Sequence, residues 1–219
     1  MLVQDMALEK LHVVLAVDRC GIVGADGETH HGCLDYLSQI PGMTVLSPAS
    51  FAELRQMLRR AGLEMDGPVA VRYPRGGEDG YEGDCGAESV TVLRQGTDAA
   101  IVTYGILTQQ ALRAAALLAG EGVSARVVKL NRVAPLDSSG ICRALDGVKR
   151  IVAAEDQLRA GAVGERLSAL LLEQGAGAEK LVLRNVGTTL PSQGSTVELR
   201  HALGLDAEGI AQAVREVLA

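Results

Sequence analysis

The second half of the chain alternates strand-sized apolar runs with helix-sized amphipathic ones, and nothing else in the sequence restricts the fold as much. The residues A-A-I-V-T-Y over 99–104 have the character of a strand and lead through Gly105 into a helix over 107–119, which Gly120-Glu121-Gly122 stops. The pattern then repeats with strand 125–130 (A-R-V-V-K-L), a loop through Pro135-Leu136-Asp137, helix 138–146 and strand 150–154. Helix 162–174, strand 181–186 and two helices over 196–203 and 206–218 complete it, with Asp206 placed to cap the last. Helices inserted between β-branched strands imply crossovers, and so an α/β fold with a mostly parallel sheet covered on both faces. Aromatic residues are 2% of the chain, so the core has to be Val, Leu, Ile and Ala, as suits such a sheet.

The first half is also α/β in character but begins differently. Residues 1–10 are spaced as the last turns of a helix, with Leu2, Met6 and Ala7 on one face. An apolar run over 11–17 then delivers the loop D-R-C-G-I-V-G-A-D-G-E-T-H-H-G at 18–32. That is the layout of a strand carrying a Gly-rich loop to the end of a sheet, where open α/β proteins bind small molecules. Its polar set, Arg19, Asp26, Thr29 and His30, separates it from a bland surface loop. A short helix is expected over 33–40, a strand over 43–46, and a helix over 51–61 started by Ser47 or Ser50 with Glu53 in its first turn. Strand 69–73 follows and ends at Pro74-Arg75-Gly76-Gly77. The stretch 76–89, rich in Gly and acid, marks a linker between one unit over 1–80 and another over 90–219.

Composition removes several functions. Hydrophobic residues at 47% supply buried cores, which excludes a disordered chain. A net charge of −6, with no basic stripe among aromatics, argues against nucleic-acid binding. The longest apolar runs are strand-sized, so no membrane span is expected. The four cysteines form no C-x-x-C pair, which points to a reducing cytoplasm rather than a disulfide framework. His30, His31, Cys33 and Asp35 are ligand types, but adjacent histidines point apart on most backbones and no metal site is expected from them.

Three stretches taken together resemble the 1-deoxy-D-xylulose-5-phosphate synthases of the transketolase superfamily. They are the loop at 18–32, I-P-G-M-T-V-L-S-P-A at 40–49 and A-V-R-Y-P-R-G at 70–76. A-P-L-D at 134–137 and G-L-D-A-E-G-I-A at 204–211 extend the resemblance over essentially the whole chain. It implies the second half of a pyrimidine-binding-type parallel α/β domain followed by a complete transketolase C-terminal-type α/β domain. It further implies a thiamine-diphosphate enzyme, with magnesium, in which pyruvate loses carbon dioxide and the two-carbon remainder adds to D-glyceraldehyde 3-phosphate. Isoprenoid, thiamine and pyridoxal biosynthesis would use the product.

By the same resemblance Arg19 and Arg75 hold the acceptor's phosphate, a role that suits two planar forks of donors that stay charged. His30 lies against the reacting centre, where an imidazole can donate a hydrogen bond or move a proton. Asp26 matches an acid that orients the acceptor and reads equally well as an Asx-turn of its own loop. His31 stands where glutamine is usual and is expected to be a tolerated polar replacement, and Tyr73 is expected in the core. The domain that grips the diphosphate through magnesium, and the glutamate and aromatics around the pyrimidine, have no counterpart here. The expectation is therefore the C-terminal part of such a synthase, a homo-oligomer when whole and inactive alone. The alternatives are the C-terminal subunit of a split transketolase-like enzyme and a non-catalytic binding or regulatory module. An open sheet edge is expected near residues 1–75.

Overall fold

A computed structural model describes residues 2–24, 27–33, 36–83 and 88–219. Nine strands among them form two sheets. The first is ordered β1 (Val14–Val17), β3 (Val69–Arg72), β2 (Thr44–Leu46), β7 (Arg132–Ala134). β1 and β2 flank β3 in parallel, and β7 adds an antiparallel edge. The second sheet runs β4 (Val90–Arg94), β6 (Ala125–Leu130), β5 (Ala99–Thr103), β8 (Arg150–Ala154), β9 (Lys180–Arg184). It is parallel except for β4.

The second sheet is covered as the alternation requires. Ala99 and Ile101 of β5 pack with α2 (Thr108–Gly120) and α6 (Ala207–Leu218). Ala100 and Val102, one residue out of phase, pack with α3 (Ser138–Leu145) and α4 (Val163–Glu173). The cluster on the α3 and α4 side continues through Leu37, Ile40, Val45, Ala70, Val133 and Ala134, so one apolar core runs into the first sheet. The other face of that sheet is closed by α1 (Phe51–Leu63), through Met57 and Ala61 against Leu46, Val69 and Val71. α5 (Thr196–Ala202) completes the helices. No helix among the described residues is long and apolar enough to cross a membrane.

Local departures from the sequence expectation have physical causes. The strand expected over 11–17 is confined to Val14–Val17, because its partner β3 begins at Val69, opposite Val14, and leaves residues 11–13 without a ladder to join. The helix expected over 33–40 is, where described, one 3-10 turn over Leu37–Gln39, closed by the Ile40 amide on the Leu37 carbonyl. Leu34 and Asp35 lie outside the described residues, as do Cys85 and its neighbours at 84–87. The N-terminal helix is a π-helix over Leu2–Ala7. β4 and β7 were not anticipated. β7 is three residues long and exists through pairing with β2, nearly ninety positions earlier in the chain.

Candidate functional site

Because β1, β2 and β3 are parallel, their C-terminal ends share one edge, and the motif residues sit just beyond it. Arg19 follows β1 and Arg75 follows β3. The Cys20 amide donates to the Tyr73 carbonyl at 3.0 Å, which carries the pairing of these two strands past their formal ends. His30, in a 3-10 turn over Glu28–His30, lies two residues before Gly32, whose carbonyl accepts from the Gly21 amide at 2.9 Å. The Gly-rich loop thus folds back on its own root. Arg19 pairs with Asp18 and, like His30 and Arg75, is exposed. Asp26 lies outside the described residues.

Two glycines explain how closely this loop is seated. A Cβ on Gly21, whose φ is +79°, would lie 1.9 Å from the Asp156 carboxylate. A Cβ on Gly24 would lie 2.5 Å from both the Gly194 carbonyl and the Thr196 amide. The loop is therefore wedged between the tip of the first sheet and two segments of the chain's second half. His31 is buried and accepts a hydrogen bond from the Val23 amide at 2.9 Å through Nδ1. It is a structural strut of the loop, a more specific role than the tolerated replacement expected from sequence.

Beneath the loop lies a charged layer that the motifs did not announce. Arg72, the last residue of β3, is buried 3.9 Å from the Asp156 carboxylate, just past β8. Its guanidinium also lies 5.1 Å from the centre of the Tyr104 ring. The Tyr104 hydroxyl donates to Glu155 at 2.8 Å, and the Val163 and Gly164 amides at the start of α4 donate to the same carboxylate, each at 2.9 Å. Burial pushes Glu155 up to about 7, with these donors and Arg72 pulling against it. Burial also raises the thiols of Cys20 and Cys33, the latter to about 12, so neither is an activated nucleophile. A carboxylate pair at the end of a parallel strand, Glu155-Asp156, was the sequence signal that could have revealed this layer.

Three adjoining clefts open where the ends of the two sheets meet. One, of about 40 Å³, is lined by Pro48, Phe51, Leu54, Tyr73, Pro74 and Ile106 among others and is apolar. A small one lies over Cys20, Ser47, Arg72 and Asp156. The third, of about 180 Å³, is lined by Ile22, Arg75, Gly76, Gly77, Thr196 and Arg200, with Glu78 and Asp79. Tyr73 thus borders clefts instead of filling the core, and Arg75 borders a cleft to which the second half brings Arg200. Arrayed arginines beside an apolar slot can grip a phosphorylated small molecule and exclude water from its other end.

Known proteins share this architecture. Residues 1–77 match the family model of the transketolase pyrimidine binding domain, and residues 88–210 match that of the transketolase C-terminal domain. A 1-deoxy-D-xylulose-5-phosphate synthase of Chlorobium luteolum is 38% identical over 230 residues, covering 98% of this chain and 35% of that protein. 1-Deoxy-D-xylulose-5-phosphate synthase 1 of Geobacter sulfurreducens is 39% identical over 222 residues, with the same two shares. The chain therefore spans about a third of the length of these relatives. A solved chain described as a split-gene transketolase in an inactive β4 tetramer superposes with a TM-score of 0.84 at 28% identity, over 99% of this chain and 70% of that one. With both family models matched in sequence order and the fold shared, the chain belongs to the transketolase family.

Proposed function

We propose that this chain is the acceptor-phosphate part of a thiamine-diphosphate-dependent synthase that condenses pyruvate with D-glyceraldehyde 3-phosphate to 1-deoxy-D-xylulose 5-phosphate, and that it is inactive alone. The observation that carries the reading is the 38–39% identity to such synthases over 98% of the chain. The product would serve isoprenoid, thiamine and pyridoxal biosynthesis in the cytoplasm, and the whole enzyme would be a homo-oligomer. The boundary between its two units falls in the Gly-rich, acidic segment 76–89.

Each residue's part follows from its chemistry. Arg75 and Arg19, rooted at neighbouring strand ends, hold the acceptor's phosphate by charge-assisted hydrogen bonds. His30 donates a hydrogen bond to the substrate carboxylate or to the oxygen that becomes an alkoxide, or moves a proton there. Asp26 orients the acceptor. The cofactor, when bound, supplies the electron sink for decarboxylation. Among the described residues there is no group of three His, Cys, Asp or Glu side chains able to hold a metal ion. These residues do not fit the magnesium-diphosphate end, which is assigned to other polypeptide, and no step is drawn through it.

The test is complementation. Mixed with the separately produced N-terminal part of a synthase relative, thiamine diphosphate and magnesium, the chain is expected to restore carbon dioxide release from pyruvate that depends on glyceraldehyde 3-phosphate. In that mixture Arg75→Ala should raise KM for glyceraldehyde 3-phosphate by about tenfold or more while leaving KM for pyruvate within about twofold. Equal effects on both substrates would remove the phosphate role. The split-gene neighbour favours a second reading, a subunit of a split transketolase-like enzyme. Turnover of ketose phosphates in preference to pyruvate would select it.

A further inference from the structure

The 180 Å³ cleft contains two arginines, Arg75 and Arg200. Arg200 reaches it from α5, with a side chain only 13% exposed. Its Nε is buried with no hydrogen-bond partner among the described residues. The ion pair that it makes is to Asp79 at 4.0 Å, beyond hydrogen-bonding distance. Asp79 is already engaged elsewhere: Gln110 donates to its carboxylate and Arg113 approaches at 3.5 Å. Glu78, the other acid of the cleft, accepts from the Phe51 amide at the start of α1, at 2.7 Å. Arg200 is thus a nearly buried five-donor fork whose counter-ion stands off and is satisfied by others. A buried donor left in that state is costly, and an arriving phosphate offers it the planar, paired contacts that it lacks.

We propose that Arg200 is a phosphate ligand of this cleft beside Arg75, which makes it select a phosphorylated acceptor over the free aldehyde, and that Asp79 is the internal anion holding Arg200 until the phosphate arrives. The inference rests on the reading that the cleft takes a phosphorylated acceptor, and adds to it a residue from the chain's second half and a competing carboxylate. When phosphate binds, Arg200 turns to it while Gln110 and Arg113 retain Asp79. No covalent step is involved.

Titration calorimetry of the full chain with inorganic phosphate, glyceraldehyde 3-phosphate and glyceraldehyde tests this. Arg200→Met is expected to weaken both phosphate-bearing probes about tenfold without changing the response to glyceraldehyde, and Arg200→Lys, which keeps the charge and loses the fork, to weaken them by less. Asp79→Asn should tighten phosphate binding, and only where Arg200 is present. An arginine that merely pins the 76–80 segment would give the opposite, since loosening that segment weakens binding. If Arg200→Met does not fold, Arg200→Lys and Asp79→Asn carry the decision. Wild-type affinity in Arg200→Met, or weaker binding in Asp79→Asn, overturns the proposal. Loss of phosphate binding in Arg75→Met but not in Arg200→Met defeats this inference and leaves the functional reading standing. The reverse pattern keeps Arg200 as the ligand and defeats the role given to Arg75. A chain that binds neither phosphate-bearing probe defeats both.

Discussion

Arg19 and Glu155 show how single residues carry tension at this site. Arg19 holds φ at +54°, a region that side chains with a Cβ rarely adopt, and Gly32 presses on it so closely that a Cβ there would lie 2.1 Å from the Arg19 carbonyl. Glu155 is 2% exposed, and its carboxyl is raised from 4.5 to about 7 chiefly by burial. Its contribution to stability is complete below pH 4.5, where folded and unfolded chains both keep the proton. It is lost as pH rises towards about 7, because the folded chain then binds more protons than the unfolded one. Urea melts across that interval should show Glu155→Gln gaining on the wild type as pH rises, by at most about 1.4 kcal/mol per pH unit. Parallel pH profiles for the two proteins would show that the carboxyl is not raised. The raised acid was not legible in the sequence, because Tyr104, Val163 and Gly164 surround it only after the fold has formed. Arg75 was legible, since V-R-Y-P-R-G places it beyond a strand whatever the tertiary arrangement.

Elements whose identity depends on local pattern were plain from the sequence; those defined by distant partners were not. Strand 150–154 has the expected bounds. The Ser50 hydroxyl accepts from the Glu53 amide, one of the two caps considered for α1. β7 and β4 escaped, since three residues and a weakly patterned five become strands only by pairing with β2 and β6. The side chains joining α1 to β6 escaped for the same reason. Lys129 of β6 is fully buried and bonded to Glu53 of α1, with Asn131 Oδ1 at 2.5 Å and the Tyr81 ring centre at 5.2 Å. Glu53 also accepts from the Ala49 amide at 2.7 Å. Lys129→Met strands the buried Glu53 charge and should cost about 3–5 kcal/mol of unfolding free energy by denaturant titration. Adding Glu53→Leu should recover most of that loss. A double variant as unstable as the single one would show that apolar packing, and not the stranded charge, sets the cost.

For the whole molecule, the two halves of the chain are joined by the β2–β7 ladder, the Glu53–Lys129 pair and the Arg72–Asp156 pair, and the clefts lie along that joint. Asp156 and Arg200 line these clefts from the second half, where the sequence offered motifs of family likeness but no candidate site residue. Among the described residues β1 pairs only with β3 in the first sheet, and Val3, Leu8 and Leu11 beside it are exposed. An unpaired edge next to apolar surface recruits another chain, so sedimentation of the isolated protein should give a concentration-dependent species larger than 22.9 kDa. A monomer at every concentration would contradict that expectation. Most depends on the proposal that the cleft at the tip of β3 receives a phosphorylated three-carbon acceptor. Amide chemical-shift mapping of the chain with glyceraldehyde 3-phosphate, with glyceraldehyde as control, tests it most directly. Shifts are expected at Arg19, Ile22, Gly76, Gly77, Thr196 and their neighbours, and only with the phosphorylated compound. Shifts centred instead on the groove of Leu171, Gly175 and Leu181 at the far side of the second sheet, or equal with both compounds, would contradict it.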